Sequence, residues 1–217
     1  MPPSDSADFQ TVTYNGRVKV CFTPELDGGG SRYGQDYVRF VRERLGRVGS
    51  ISEWCAGPGF IGFSLLAHDL CDTLTLTEIN PAAVAACRAT VALNGLADRV
   101  TVCLSDNLND IPPHQPWDLV VGNPPHSGSP DLIPRLSHRE PILYMDPHWE
   151  IHRRFYATLR PHLHPESAVI IQENSTFSSV EDFRGMVHAG GLEIVSVEEC
   201  SAQPAGMYYY IWSKPGA

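Results

Sequence analysis

Between residues 10 and 22 apolar and polar positions alternate around Asn15-Gly16, which predicts two short strands joined by a tight hairpin turn. Gly28, Gly29 and Gly30 then interrupt any regular pattern. Over residues 34–46 the apolar positions Tyr37, Val38, Phe40, Val41 and Leu45 recur at helical spacing and define one buried face. From residue 50 short apolar runs alternate with helical stretches. Strands are predicted from Ile51 to Ala56, Leu74 to Glu78, Val100 to Leu104, Trp117 to Gly122 and Ala168 to Gln172. Helices are predicted from Phe60 to His68, from Pro81 to Leu93, from Pro147 to about Leu163 and over 179–189. Asn80-Pro81 and Asp146-Pro147 each place a capping side chain ahead of a proline at the first helical position, and Asn94-Gly95 suits a helix end. The last two apolar runs, Leu192 to Val197 and Met207 to Trp212, have no helix between them.

Strands separated by helices predict an α/β fold, a mostly parallel Rossmann-like sheet with helices on both faces. The closing pair predicts an antiparallel C-terminal edge. Residues 1–48 form an N-terminal extension of hairpin, glycine-rich loop and helix, a candidate lid, and residues 49–217 form the main domain.

Charge narrows the partners. The chain of 217 residues carries 16 basic and 25 acidic side chains, a formal charge of −9, with only Lys19 and Lys214 as lysines. Arg39, Arg42, Arg44 and Arg47 fall on one predicted helix, where a solvated face explains them. This balance argues against a nucleic-acid backbone as partner. The six cysteines lie mostly in apolar runs without CxxC pairs, as reduced core thiols do. The first ten residues are polar, and no apolar run approaches the roughly 20 residues that span a bilayer. A cytoplasmic protein without membrane contact is the expectation; the oligomeric state is left open.

Ligands of open parallel sheets bind beyond the carboxyl ends of the strands. Four successive strand ends here carry suitable groups. Glu53-Trp54-Cys55-Ala56-Gly57-Pro58-Gly59-Phe60 is a turn whose glycines admit a ligand close to the backbone, although a plain strand-to-helix turn reads the same way. Glu78, with Ile79 beside it, ends the second of these strands, where a carboxylate can accept from ribose hydroxyls or simply favour a helix start. Asp106-Asn107 follows the third, placed either for an adenine amino group or for an Asx turn. Asn123-Pro124-Pro125-His126 follows the fourth and is the sharpest signal. Two prolines stiffen the backbone and remove two N–H donors, leaving acceptors that can grip a substrate amino group.

In this order and spacing, the four segments resemble the class I S-adenosylmethionine-dependent methyltransferases, closest to the small-domain group that includes glutamine methyltransferases and some ribosomal RNA enzymes. The resemblance covers roughly residues 50–125. It implies S-adenosylmethionine as cofactor, held by Glu53, Cys55, Ala56, Gly57, Gly59, Phe60, Glu78, Ile79, Asp106, Asn107 and Asn123. It implies a catalytic role for Asn123, Pro124 and His126 at the nitrogen to be methylated. Cys55 stands where that family has a glycine, and His126 where it has an aromatic residue; the imidazole can stack on the acceptor or take its proton.

The implied function is methyl transfer to an amino or amide nitrogen of a small molecule, protein or peptide. The alternatives are transfer to an exocyclic amino group of an RNA or DNA base, and a non-catalytic binding module that keeps the fold. Tyr14, Tyr33, Pro125, His126 and Glu173 are candidates for the substrate mouth, with Glu173-Asn174-Ser175-Thr176 read as a loop. His148 and His152 lie four apart, as metal ligands on one helical face would, but Asp146-Pro147 already reads as a cap and methyl transfer needs no metal.

Overall fold

The computed structural model describes residues 8–27, 30–113, 116–129, 141–200 and 206–216, with the side chains of residues 30–35 outside the description. A hairpin of β1 (Gln10–Tyr14) and β2 (Val18–Phe22) is followed by α1 (Gly30–Arg44). Then come β3 (Val48–Trp54), α2 (Phe60–Ala67), β4 (Cys71–Glu78), α3 (Pro81–Asn94), β5 (Val100–Leu104) and β6 (Trp117–Gly122). The second half holds α4 (Glu150–Leu159), β7 (Leu163–Asn174), α5 (Val180–Ala189), β8 (Leu192–Glu199) and β9 (Tyr208–Pro215).

Seven strands form one sheet in the order β5-β4-β3-β6-β7-β9-β8. β5, β4, β3, β6 and β7 pair in parallel, and β9 runs antiparallel to both β7 and β8. The predicted sheet and its antiparallel edge are therefore both present. The chain winds outward from β3 to β5 and then restarts at β6, so the switch point, where such sheets open a crevice for ligand, lies between β3 and β6. Among the described residues, no helix is long and apolar enough to cross a membrane.

Each face of the sheet has its own core. On one, α2 is buried along its whole length, between the sheet, α1 and the hairpin, which is why its sequence FIGFSLLA shows almost no polar side. The hairpin docks through paired hydrogen bonds: Lys19 N–H donates to Asn94 Oδ1 while Asn94 Nδ2 donates to Lys19 O, and Cys21 N–H donates to Thr90 Oγ1. On the other face Trp54, Phe155, Tyr156 and Phe183 pack with α4 and α5. Helix ends follow the chemistry of their sequences. Asn80 Oδ1 accepts from Ala82 N–H, Gly95 closes α3 in the left-handed region, and Ser179 with Asp182 forms a reciprocal capping box on α5.

Two expectations are corrected. The helix expected from Pro147 to Leu163 is shorter, because His148 and Trp149 both adopt left-handed backbone at φ 57° and 59°. Gly128 O accepts from His148 N–H and the Trp149 ring lies over Gly128, so the chain must turn there before α4 begins at Glu150. At the other end Pro161 sits in a 3-10 turn, since proline lacks the N–H that the next helical turn requires. The second correction concerns β7. It runs twelve residues and includes Glu173 and Asn174, which the sequence pattern assigned to a loop.

Gly59 tests the first turn. Its φ of 81° is left-handed, and a Cβ there would stand 2.7 Å from the Phe63 ring and 3.0 Å from Leu76. Gly59→Ala should cost about 2–4 kcal/mol, from left-handed strain and overpacking together. The check is a lower midpoint of urea unfolding at unchanged slope.

Candidate active site

A cavity of about 560 Å³ opens at the carboxyl ends of the central strands. Its wall includes Glu53, Cys55 and Gly57 after β3, Glu78 after β4, Asp106 after β5, and Asn123 to His126 after β6. Ala56, Phe60, Ile79 and Asn107 also line it. All four strand-end segments therefore converge on one space.

The turn after β3 owes its shape to three left-handed residues, Cys55 (φ 51°), Gly57 (φ 53°) and Gly59 (φ 81°). Among the described residues nothing lies within 4 Å of where a Cβ of Gly57 would stand, so a ligand can lie against its backbone. At Cys55 a side chain occupies a conformation that glycine adopts without strain. The two carboxylates nearby shape the turn themselves. Glu53 is buried and accepts from Ile61 N–H and Gly62 N–H at 3.3 and 2.7 Å, holding the start of α2. Burial lifts its carboxyl to about 8, against the pull of those two N–H groups. Glu78 accepts from Gly57, Ile79 and Asn80 N–H, which ties the end of β4 to the turn after β3. Burial raises its pKa too, opposed by the same three donors.

Beyond β5, Asp106 is about half exposed and ion-paired with Arg154 of α4 at 2.8 Å. Asn107 takes up left-handed backbone at φ 61° and donates from Nδ2 to Ile151 O. Both contacts bind this loop to the start of α4, links that sequence spacing could not reveal.

The segment after β6 is stiff. Tyr37 Oη donates to Gly122 O at 2.6 Å, Pro124 and Pro125 are buried, and Ser127 N–H donates to Tyr144 O. Within it Asn123 Oδ1 is buried and has no hydrogen-bond partner among the described residues. A buried amide oxygen left without a donor costs about 1–3 kcal/mol, so a ligand N–H that reached this wall would find an acceptor there.

Behind His126 lies a group that sequence reasoning missed as a unit. His152 is fully buried, with Nδ1 2.5 Å from Asp146 Oδ2 and Nε2 2.9 Å from Glu173 Oε1. Glu173 Oε2 lies 3.5 Å from His126 Nδ1. The rings of Trp54, Trp149 and Phe183 surround His152 at centroid distances of 5.3, 5.5 and 4.9 Å. Burial opposes charge on this imidazole, but Glu173 and Asp146 on either side outweigh it and hold the pKa at about 9. Asp146 also accepts from Ile151 and His152 N–H, and so caps α4 across the left-handed turn. The signal in the sequence was a His six residues past a capping Asp, but its second partner stands 21 residues further on.

The other candidates are placed as follows. Tyr14 ends β1 of the hairpin, is buried in the core and is not among the residues that line the cavity. The Tyr33 side chain lies outside the described residues. His148 and His152 do not share a helical face, because His148 precedes α4 in left-handed backbone. Leu26, Tyr144, Phe177 and Tyr208 also line the cavity, from segments with no motif of their own.

Residues 39–139 match the family described as the methyltransferase small domain. Over 147 residues the chain is 29% identical to a release factor glutamine methyltransferase of Cereibacter sphaeroides, an alignment covering 65% of this chain and 51% of that protein. Over 102 residues it is 32% identical to a ribosomal protein uL3 glutamine methyltransferase of Francisella tularensis, covering 46% of this chain and 32% of the relative. The chain thus spans about half or less of the curated relatives it matches. Among solved structures, the Thermus thermophilus 16S rRNA N2 G1207 methyltransferase aligns with a TM-score of 0.67 at 14% identity, over 95% of this chain and 50% of that one. A S-adenosylmethionine-dependent methyltransferase from Clostridium acetobutylicum aligns with a TM-score of 0.61 at 12% identity, over 88% and 94%. These likenesses identify the fold as a Rossmann-like methyltransferase sheet.

The buried imidazolium should make stability depend on pH. His152 binds its proton up to about pH 9 when folded and only to about 6.5 when unfolded. Its contribution is complete below pH 6.5 and is lost as pH rises to 9, by up to about 1.4 kcal/mol per unit. Glu53 loses stability in the same direction over a lower range, so the comparison is between wild type and His152→Gln. Unfolding free energies measured from pH 6 to 9.5 should converge for the two proteins as pH rises.

Proposed function

We propose that this chain, whose residues 39–139 match the methyltransferase small domain family, is an S-adenosylmethionine-dependent N-methyltransferase acting on a side-chain amide of a protein, with glutamine as the acceptor residue. The observation that carries the reading is the buried Asn123 Oδ1 in the cavity wall, without a hydrogen-bond partner among the described residues. The acceptor residue is taken from the two curated relatives, both glutamine methyltransferases. The two relatives are named for a release factor and a ribosomal protein, and on that likeness the location we propose is the cytoplasm.

The cavity suits the cofactor. Its volume of about 560 Å³ lies within the usual range for small-ligand sites. Gly57 leaves open space over a left-handed turn, where the methionine part would lie with Cys55, Ala56 and Phe60 around it; Gly59, expected to join them, is packed against Phe63 and Leu76 and does not line the cavity. Glu78 already gives three lone-pair positions to backbone N–H groups and, of about four on a carboxylate, retains one for a ribose hydroxyl. Asp106 and Asn107 border the place proposed for adenine, with Ile79 as an apolar wall. Glu53 and Glu78 put negative charge near a cationic ligand, and such a ligand favours their ionised forms against burial.

S-adenosylmethionine supplies a methyl carbon on a positively charged sulfur, which keeps the bonding pair when the carbon is transferred. The chain supplies position. Asn123 Oδ1 and the Pro124 carbonyl accept the two hydrogens of the acceptor nitrogen, which turns its lone pair away from them. Charge that grows on nitrogen is stabilised by the same two oxygens, already oriented and partly shielded from water. Pro125 keeps the peptide plane from rotating.

Asn123→Ala should lower turnover about a hundredfold and leave cofactor affinity within about twofold. The check combines calorimetry with labelled cofactor and an acceptor panel of glutamine peptides, protein fractions and RNA. Full turnover in the variant removes Asn123 from the mechanism, and label entering RNA alone moves the acceptor to a base.

A further inference from the structure

Four ionisable side chains run from the protein interior to the cavity: Asp146, His152, Glu173 and His126. Their geometry fixes where the hydrogens are. Carboxylates only accept, and both ring nitrogens of His152 face carboxylate oxygens, so both carry hydrogen and the ring is a cation. Asp146 is further compensated by two N–H groups at the start of α4. Glu173, fully buried, divides its oxygens: Oε1 accepts from His152 Nε2 and Oε2 faces His126 Nδ1. A hydrogen on the His126 nitrogen that faces this carboxylate would leave the lone pair of the neutral ring on Nε2. Among the described residues Nε2 has no hydrogen-bond partner, and the ring lines the cavity beside Asn123.

We propose that His126 takes the proton that the acceptor nitrogen sheds, and that Glu173, held by His152 and Asp146, is the positioning residue that fixes the tautomer of His126. The proposal rests on the methyl-transfer reading above. Once the lone pair of nitrogen has formed its bond to carbon, the hydrogen that the Pro124 carbonyl held turns to Nε2 and its N–H bond breaks. Its electron pair stays on nitrogen and its proton goes to Nε2. The imidazolium so formed lies against Glu173, and its partly exposed ring returns the proton to water. Three buried charges, two negative and one positive, leave one negative charge to balance it. Around the ring, Glu173 comes from β7 and Tyr208 from β9, its centroid 5.7 Å away, while His152 and Asp146 act through Glu173. The 3.5 Å separation is loose, as base–orienter contacts often are before substrate binds. A Glu that fixes one imidazole tautomer repeats the role of the Asp in serine-protease triads on an unrelated fold.

Glu173→Gln is the discriminating change. An amide keeps the shape, but its oxygen is needed by His152, so its NH₂ points at His126 and donates to Nδ1. The hydrogen of the neutral ring then moves to Nε2 and the lone pair is lost from the cavity side. In 15N-histidine spectra taken without cofactor or acceptor, wild-type neutral His126, assigned by its absence in His126→Phe, should be the Nδ1–H tautomer. In Glu173→Gln it should be Nε2–H. Turnover should fall about a hundredfold or more in both variants, with cofactor affinity by calorimetry within about twofold. A wild-type ring in the Nε2–H form, an unchanged tautomer in folded Glu173→Gln, or undiminished turnover in His126→Phe overturns the proposal. If Glu173→Gln does not fold, the wild-type tautomer and the His126→Phe rate still decide. Absence of methyl transfer by the wild type to any acceptor defeats the functional reading instead, and the tautomer spectra stand apart from it.

Discussion

The buried His152 imidazolium, caught between Asp146 and Glu173, is the contact that makes the second half of this molecule one unit. Removing an ion from water costs several kcal/mol, and the cost is met only where every polar atom finds a partner. Here both ring nitrogens do, and three aromatic rings close the remaining sides. The contact joins the start of α4, the end of β7 and the segment before α4. Because that segment pairs with the chain just after Asn123-Pro124-Pro125-His126, the position of the motif depends on an ion it does not touch. Breaking such a group from one side costs more than never having made it, since it strands a charge.

The left-handed turns follow from the same economy of space. At His148 and Trp149 the chain gives up two regular helical residues, and in return Asp146 reaches the first free N–H groups of α4 and the imidazole in one stroke. At Cys55, Gly57 and Gly59 three left-handed residues turn the chain sharply enough for Glu53 to accept from the start of α2 and for Glu78 to accept from Gly57. The second glycine has an evident reason, the Phe63 ring and Leu76 pressed against it; the first faces open cavity, where a bound molecule would be the neighbour.

Electrostatically the site is divided. The side toward β3 and β4 holds two carboxyl groups, Glu53 and Glu78, whose burial raises their pKa. The side toward β7 holds a carboxylate kept ionised by a neighbouring imidazolium, with Glu173 held below its usual pKa, against the opposing effect of burial, by His152 and His126. Between them stand the electron-rich oxygens of Asn123 and Pro124. A site arranged this way accepts positive charge from one direction and can relieve it in another, which suits transfer of a methyl group to nitrogen.

The sequence alone determined what depends on neighbours along the chain. The period of apolar residues set the order of strands and helices, Asn80-Pro81 and Asn94-Gly95 marked the ends of α3, and the glycines, acidic residues and prolines at four strand ends pointed to one crevice, since a parallel sheet brings its strand ends together whatever its details. The tertiary structure alone decided how distant residues meet. It carried Glu173 into β7, where the extra pairing with β9 extends the strand; it started α4 three residues late, where Gly128 and the Trp149 ring force a turn; and it sank Tyr14 into the core. The union of His152 with a carboxylate 21 residues away was invisible for the same reason, because a hydrogen bond across the fold depends on distance in space and leaves no period in the sequence.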